Sequence, residues 1–259
     1  MRLILLLLLL AGCAAPRPAA VVQATVAPDE HLPPYLRRQF EPFSRVNALG
    51  IARREWRAFG SVVNDAPPGR DLESEYRPDK QAGLWQRVAD YWWSSQDAGT
   101  NESQWSSVYN ESGTPYSTSP PAWSAAFISY VMRTAGAGAR FPYSPLHSDY
   151  INAAARGEGV LRAESTATGA ASPGDLICYG RAAARSMRFE DLPATRFFGH
   201  CDIVVDAVPG QLTVIGGNVS GGVTMKHVPT SGQGTLEGPG GIVDGRYPWF
   251  VVVRVQYDL

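Results

Sequence analysis

The chain has only three cysteines in 259 residues, almost no net charge, and no apolar stretch long enough to cross a bilayer. No C-x-x-C or H-E-x-x-H spacing occurs, so the common zinc patterns are absent and no cofactor or metal is expected. G-x-S-x-G is missing too, which removes the nucleophile elbow of the α/β-hydrolases. A net charge of −1 provides no electrostatic footprint for nucleic acid. The longest apolar run lies in the first dozen residues and falls short of the roughly 20 needed for a transmembrane helix. No internal repeat is present.

That short run has a reading of its own. Met1-Arg2-Leu3-Ile4 supplies one positive charge, leucines follow, and the segment closes on Leu10-Ala11-Gly12-Cys13. Charge, apolar core and small residues are the three parts of a secretory signal. The ending resembles the bacterial lipoprotein signal. This implies removal of residues 1–12 and lipidation of Cys13, with palmitate among the acyl chains. Ala14 after the cysteine, rather than Asp, implies sorting to the outer membrane, facing the periplasm. Residues 13–34 are rich in Pro and Ala and read as a lipidated cysteine followed by a semi-extended tether.

Residues 35–259 fit a single domain, with a helical N-terminal part over 41–95 and a core over 121–259. Seven Trp and eleven Tyr supply ample core and carbohydrate-facing surface. Residues 44–63 place Val46, Leu49, Ala52, Trp56 and Phe59 at helical spacing, and 84–95 form a second apolar-rich helix. Residues 96–121 are polar and contain Gly and Pro, a long loop of the kind that is usually functional or disordered. A third helix spans 125–135, with Gly136 as its stop. From Ser172 the pattern turns to strands: 176–179, 199–205, 212–215 and 250–255. Helices first and antiparallel strands second make an α+β domain.

Candidate chemistry gathers at a few positions. Ser124 stands at the start of the third helix, where backbone amides stabilise negative charge. Serine is among the best N-cap residues, and capping alone would explain it on local sequence. His200 opens a strand. A two-residue turn at Pro209-Gly210 sets it opposite Val219; a three-residue turn from Val208 sets it opposite Asn218, a candidate orienting group for the imidazole. Asn218 also reads as a turn residue after two glycines. Asp202 shares a strand face with His200 and is either the carboxylate partner or a surface charge. Cys201 points to the opposite face and is a poor nucleophile. Cys178 and Cys201 lie on neighbouring strands, either as a disulfide or as two buried thiols.

The run Trp123-Ser124-Ala125-Ala126-Phe127-Ile128 resembles the nucleophile helix of the CHAP amidases, where cysteine holds the serine position. Pro173-Gly174-Asp175-Leu176-Ile177, Gly199-His200 and Val214-Ile215-Gly216-Gly217-Asn218 are similar to that family's later motifs in the same order. The chain resembles more closely the domain-of-unknown-function family 2272, which carries Trp-Ser-Ala-Ala-Phe-Ile and Gly-His-Cys-Asp-Ile. The resemblance implies a papain-like (CHAP-like) fold: a nucleophile-position helix packed on an antiparallel sheet, with extra N-terminal helices. It also implies Ser124, His200 and Asn218 as the catalytic set, to which the strand face shared with His200 adds Asp202; Trp123 and His147 are candidate cleft residues. His147 lies on a connecting segment and either lines the cleft or caps the next helix.

Serine for cysteine has a chemical consequence. A hydroxyl needs a true general base, and an Asn in place of Asp in a serine triad costs about 10⁴ in kcat. The resemblance and the envelope address imply hydrolysis of amide bonds in peptidoglycan stem peptides; the serine leaves as alternatives an inactive cleft that binds a wall peptide or protein partner, or a structural envelope role. The membrane is reached through the lipid anchor. Cys13→Ser is expected to yield a soluble or unprocessed form on cell fractionation; processed protein that still sediments with membranes would place the anchor elsewhere.

Overall fold

The computed structural model describes residues 42–67, 77–95 and 122–258. The expected signal peptide, Cys13, the expected tether and the 96–121 segment lie outside the described residues. No described helix is long and apolar enough to cross a membrane.

Among the described residues, four α-helices pack against a six-stranded antiparallel sheet, an α+β architecture. Helix α1 (Arg45–Ala58) begins at Ser44, whose Oγ accepts from the Asn47 amide at 3.3 Å. Its buried face keeps Ala52 and Phe59, with Leu49 and Trp56 half-buried against the core, while Val46 is 76% exposed. Ala48, Ile51 and Glu55 also turn inward. The charged residue on this face is Glu55. Its fully buried carboxylate accepts from Arg54 and Arg87, each at 2.9 Å, and from the Tyr91 hydroxyl at 2.7 Å. A buried charge persists only when paired in this way.

Helix α2 (Leu84–Ser94) contributes Val88, Tyr91 and Trp92 to the core. Helix α3 (Ser124–Thr134) is buried on nearly every side, held between α1, α2 and the sheet. Small Ala125 and Ala126 allow that close approach. Gly136, at φ +99°, follows the helix end as expected. Helix α4 (His147–Arg156) corrects the sequence reading, which left its first residue on a connecting segment. The helix stops at Gly157 in the left-handed conformation.

The strands are β1 (Leu161–Ser165), β2 (Leu176–Gly180), β3 (Gly199–Val208), β4 (Gln211–Val219), β5 (Gly222–Pro229) and β8 (Trp249–Val255), in the order β1-β8-β2-β3-β4-β5. A small hairpin of β6 (Glu237–Gly238) and β7 (Gly241–Ile242) precedes β8. The sheet is covered on both faces. Helices pack on Cys178, Cys201, Ile203, Ile215, Val251 and Val253, while Leu236, Ile242 and Tyr247 lie over Ile177, Val204, Val214 and Val252. Burial on both faces explains the unbroken apolar runs 203–205 and 251–253, which a half-exposed strand would alternate with polar residues.

The β3–β4 hairpin contains parts of both expected registers. Val208 pairs with Gln211 across the two-residue turn Pro209–Gly210. A bulge between Val204 and Asp206 then shifts the pairing by one, so that Ile203 faces Ile215. Such an extra residue re-aims the side chains beyond it, here His200 and Asp202. Cys178 and Cys201, directly opposed on β2 and β3, form a disulfide. Closing a loop of this separation stabilises by about 3 kcal/mol in the chain-entropy picture. Replacing both cysteines by serine is expected to lower unfolding stability by about that amount in denaturant titrations. Wild-type thiols that alkylate without reductant would contradict the bond.

Candidate functional site

The site begins with Trp123. Its indole is buried between Phe59 and Tyr91, with ring centres 5.8 and 5.7 Å away, and its Nε1 donates to Asp79 Oδ2 at 3.4 Å. Asp79 is gripped by Arg77 at 2.7 and 3.0 Å, and its amide donates to Gly221 on the β4–β5 turn. The start of α3 is thereby fixed in direction. Trp123, not Ser124, occupies the N-cap position, and it caps with no side-chain bond. Ser124 is the first helical residue, so the capping reading is corrected. Its hydroxyl is committed elsewhere.

That hydroxyl is hydrogen-bonded to His147 Nε2 at 2.7 Å. His147 opens α4 directly across from the start of α3. The two helix starts are tied together by Ser129 of α3, whose Oγ donates to the Ser144 carbonyl and accepts from the Ser144 amide. Ser144 Oγ in turn accepts from the Leu146 amide and donates to Asp149. On its other side, His147 Nδ1 bonds the Tyr150 hydroxyl. In the tautomer that donates Nδ1–H to Tyr150, Nε2 offers its lone pair to Ser124.

A second imidazole stands beside the first. The rings of His147 and His200 are 5.3 Å apart. His200 Nε2 bonds Asp202 Oδ1 at 3.1 Å, and Asp202 Oδ2 receives Lys226 Nζ at 2.9 Å. Lys226 is 1% exposed, and its ammonium lies 4.5 Å from the centre of the Tyr247 ring. Tyr179, opposite His200 in the register, packs its ring 5.3 Å away. Gly216 is the only residue type that fits behind this group. A Cβ there would lie 1.9 Å from Asp202 Oδ1 and 2.9 Å from His200 Nε2. Gly217 makes the same allowance for Phe127 of α3, 2.6 Å from where its Cβ would stand.

The electrostatics follow from burial. Desolvation pushes the His147 imidazole well below the usual histidine range, and the neighbouring His200 adds to the shift. Desolvation also lowers His200, against the opposing pull of Asp202. Burial alone would raise the Asp202 carboxyl, but Lys226 and His200 overcome it and hold the group below the usual carboxylate range. Tyr150, fully buried and near the charges of Asp202 and Asp149, is held neutral far above the usual phenol value. Near neutral pH the site is thus a neutral imidazole on a serine hydroxyl, backed by an ionised carboxylate.

The structure brings together Trp123, Ser124, His147, His200 and Asp202. The carboxylate, not Asn218, takes the His200 hydrogen bond. Asn218 sits half-buried at the irregular end of β4 with φ +57°, and no hydrogen bond joins it to His200 among the described residues. Its turn reading describes that backbone. Cys201 is in the disulfide. Among the described residues no group of three His, Cys, Asp or Glu is placed to hold a metal ion.

Tyr150 and Lys226 escaped the sequence reading, and His147 was assigned no chemistry. Two signals were available. His147 and Tyr150 are three apart, on one face of a helix. Lys226 shares its strand face with Thr224 and Val228, an unusual place for an ammonium.

Residues 79–255 match the model of the family described as an uncharacterized protein conserved in bacteria (DUF2272), and the chain belongs to that family. No curated protein and no solved structure matches the chain.

Two histidines held neutral give stability a pH dependence with a definite sign. Their folded pKa values lie below the unfolded value near 6.5, so the unfolded chain binds more protons on acidification. Stability present above that value is lost as pH falls, by up to about 1.4 kcal/mol per pH unit for each histidine. Thermal melts from pH 8 to pH 5 should show a midpoint that declines below about 6.5. A flat profile would contradict the neutral pair.

Proposed function

We propose that this DUF2272 member is a serine-dependent hydrolase with a papain-like arrangement of helix and sheet, cleaving amide bonds in peptidoglycan stem peptides. It would work in the periplasm, tethered to the outer membrane through a lipid on Cys13. The observation that carries the reading is the 2.7 Å bond between Ser124 Oγ, at a helix N-terminus, and the imidazole of His147.

The chemistry is acyl transfer. Ser124 Oγ attacks the substrate carbonyl carbon while His147 Nε2 takes the hydroxyl proton. The first-turn amides of α3, which have no intrahelical acceptors, face the developing oxyanion. Collapse of the tetrahedral intermediate breaks the C–N bond. His147 returns the proton to the departing amine, leaving an ester on Ser124. Water, deprotonated by the same imidazole, hydrolyses the ester and restores the hydroxyl. The Asp202 carboxylate favours the transient imidazolium, since its charge raises the His147 pKa. It does so through space, since Tyr150 holds His147 Nδ1 and Asp202 bonds His200.

One observation favours a second reading. The group on His147 Nδ1 is a neutral tyrosine, where serine triads place a carboxylate. A site limited in this way would bind a wall peptide or protein partner without turnover.

One experiment separates the two. Purified full-length protein in detergent is treated with a fluorophosphonate and, in parallel, with peptidoglycan fragments, both followed by mass spectrometry. Hydrolysis predicts phosphonylation at Ser124 and new amine and carboxyl termini, both lost in Ser124→Ala. His147→Ala should lower turnover by about 10²–10⁴-fold. Fragments recovered intact with Ser124 unlabelled would sink the hydrolase reading. In Ser124→Cys, the new thiol should alkylate unusually fast, and His147→Ala should remove the excess.

A further inference from the structure

The hydrogen-bonded pairing of β2 and β3 runs on past the strand ends. Tyr179 faces His200, Gly180 faces Gly199, and the Arg181 amide donates to the Phe198 carbonyl at 2.8 Å. Strand alternation puts Arg181 and Tyr179 on the same face as Phe198, His200 and Asp202. Along this strip exposure rises sharply. Asp202 and His200 are buried, while Phe198 is 70% exposed and Arg181 is exposed. The strip therefore leads from the proposed reaction centre out to solvent.

Its outer end is held in place. A Cβ at Gly180 would lie 1.8 Å from the Ala184 carbonyl oxygen, so the chain turns back tightly just after Arg181. The returning segment is bound to α4. Asn152 exchanges two hydrogen bonds with Ala194, at 2.8 and 2.9 Å, and Arg196 forks onto Asp149 at 3.0 Å. A phenylalanine left in water on a tethered segment needs a reason, because the same segment buries Met187, Phe189, Leu192 and Phe197 in part against the core.

Charge points the same way. Asp202 is matched by Lys226, and Asp149 by Arg196. Arg181 has no hydrogen-bond acceptor or ion-pair partner for its guanidinium among the described residues. It is the uncompensated cation facing the two histidines, and its charge depresses both of them as well as opposing the rise of Tyr179. An anion bound there would relieve that repulsion.

We propose that Arg181 and Phe198 form a substrate subsite that takes a peptide bearing a free carboxylate beside an alkyl portion. The guanidinium receives the carboxylate in a forked pair, and the Phe198 ring covers the alkyl part. The proposal rests on the hydrolase reading for its location, and it specifies which substrates that site prefers.

The test uses full-length Ser124→Ala, so that ligand is bound and not consumed. The probes are a stem tetrapeptide in its free-acid form and the same peptide with every carboxyl amidated. Calorimetry should find the free acid bound at least tenfold tighter, with the gap narrowing as salt rises. Adding Arg181→Gln should abolish the gap, Arg181→Lys should keep part of it, and Phe198→Ala should weaken both forms alike. Equal affinities, a preference that survives Arg181→Gln, or no binding of either form would overturn the subsite. Fluorophosphonate labelling of Ser124 in wild type and Arg181→Gln keeps the two ideas apart. Labelling without a carboxylate preference removes the subsite and leaves the hydrolase. A preference without labelling removes the hydrolase and leaves a binding site.

Discussion

Asp202 is a carboxylate with no access to water, and much of the site is arranged around its charge. An isolated carboxylate in such a place would be prohibitively costly or would take up a proton. Two partners prevent that outcome. Lys226 reaches across from β5 to one oxygen, and His200, two residues along the same strand, takes the other. The ammonium itself is lined by Tyr247, with Tyr179 and Trp249 nearby, so its charge faces aromatic rings on the side away from Asp202. Gly216 leaves the carboxylate its space. Removing either charge would strand the other, which is why the group behaves as one unit.

The helical layer meets this unit from the opposite direction. Trp123 is wedged between Phe59 and Tyr91 and anchored to Asp79, and Gly217 lets α3 lie close on β4. Ser124 is delivered to the point where His147 arrives on α4. Ser129 and Ser144 clasp the two helices, and the loop before α4 has little freedom to drift. A hydroxyl, two imidazoles and a carboxylate thus converge from three separate elements: α3, α4 and two positions on β3. Burial keeps the imidazoles neutral, the state in which one of them can accept a proton from the serine.

The sequence by itself determined the class of the fold and most of its elements. Alternation and helical periodicity report burial on one face, and that is local information. Ser124, His200 and Asp202 were all legible as candidates, the last through the two-residue repeat of a strand. On α1 the stripe holds except at Val46, but Glu55 looks solvent-seeking until Arg87 and Tyr91 arrive from another helix. The start of α4 was missed because its cap, Leu146, offers no side-chain signal.

What only the tertiary structure decided is which group serves which. Asn218 and Asp202 compete for His200 on paper, and strand pairing alone does not choose between them. The bulge in β3, the positive φ at Asn218 and the ammonium of Lys226 do, in favour of the carboxylate. His147 becomes the partner of Ser124 because two helix starts 23 residues apart are clasped together. Hydrogen bonds between such distant positions depend on distances of a few tenths of an ångström. Those distances are set by how whole layers pack, and no local pattern of residues encodes them.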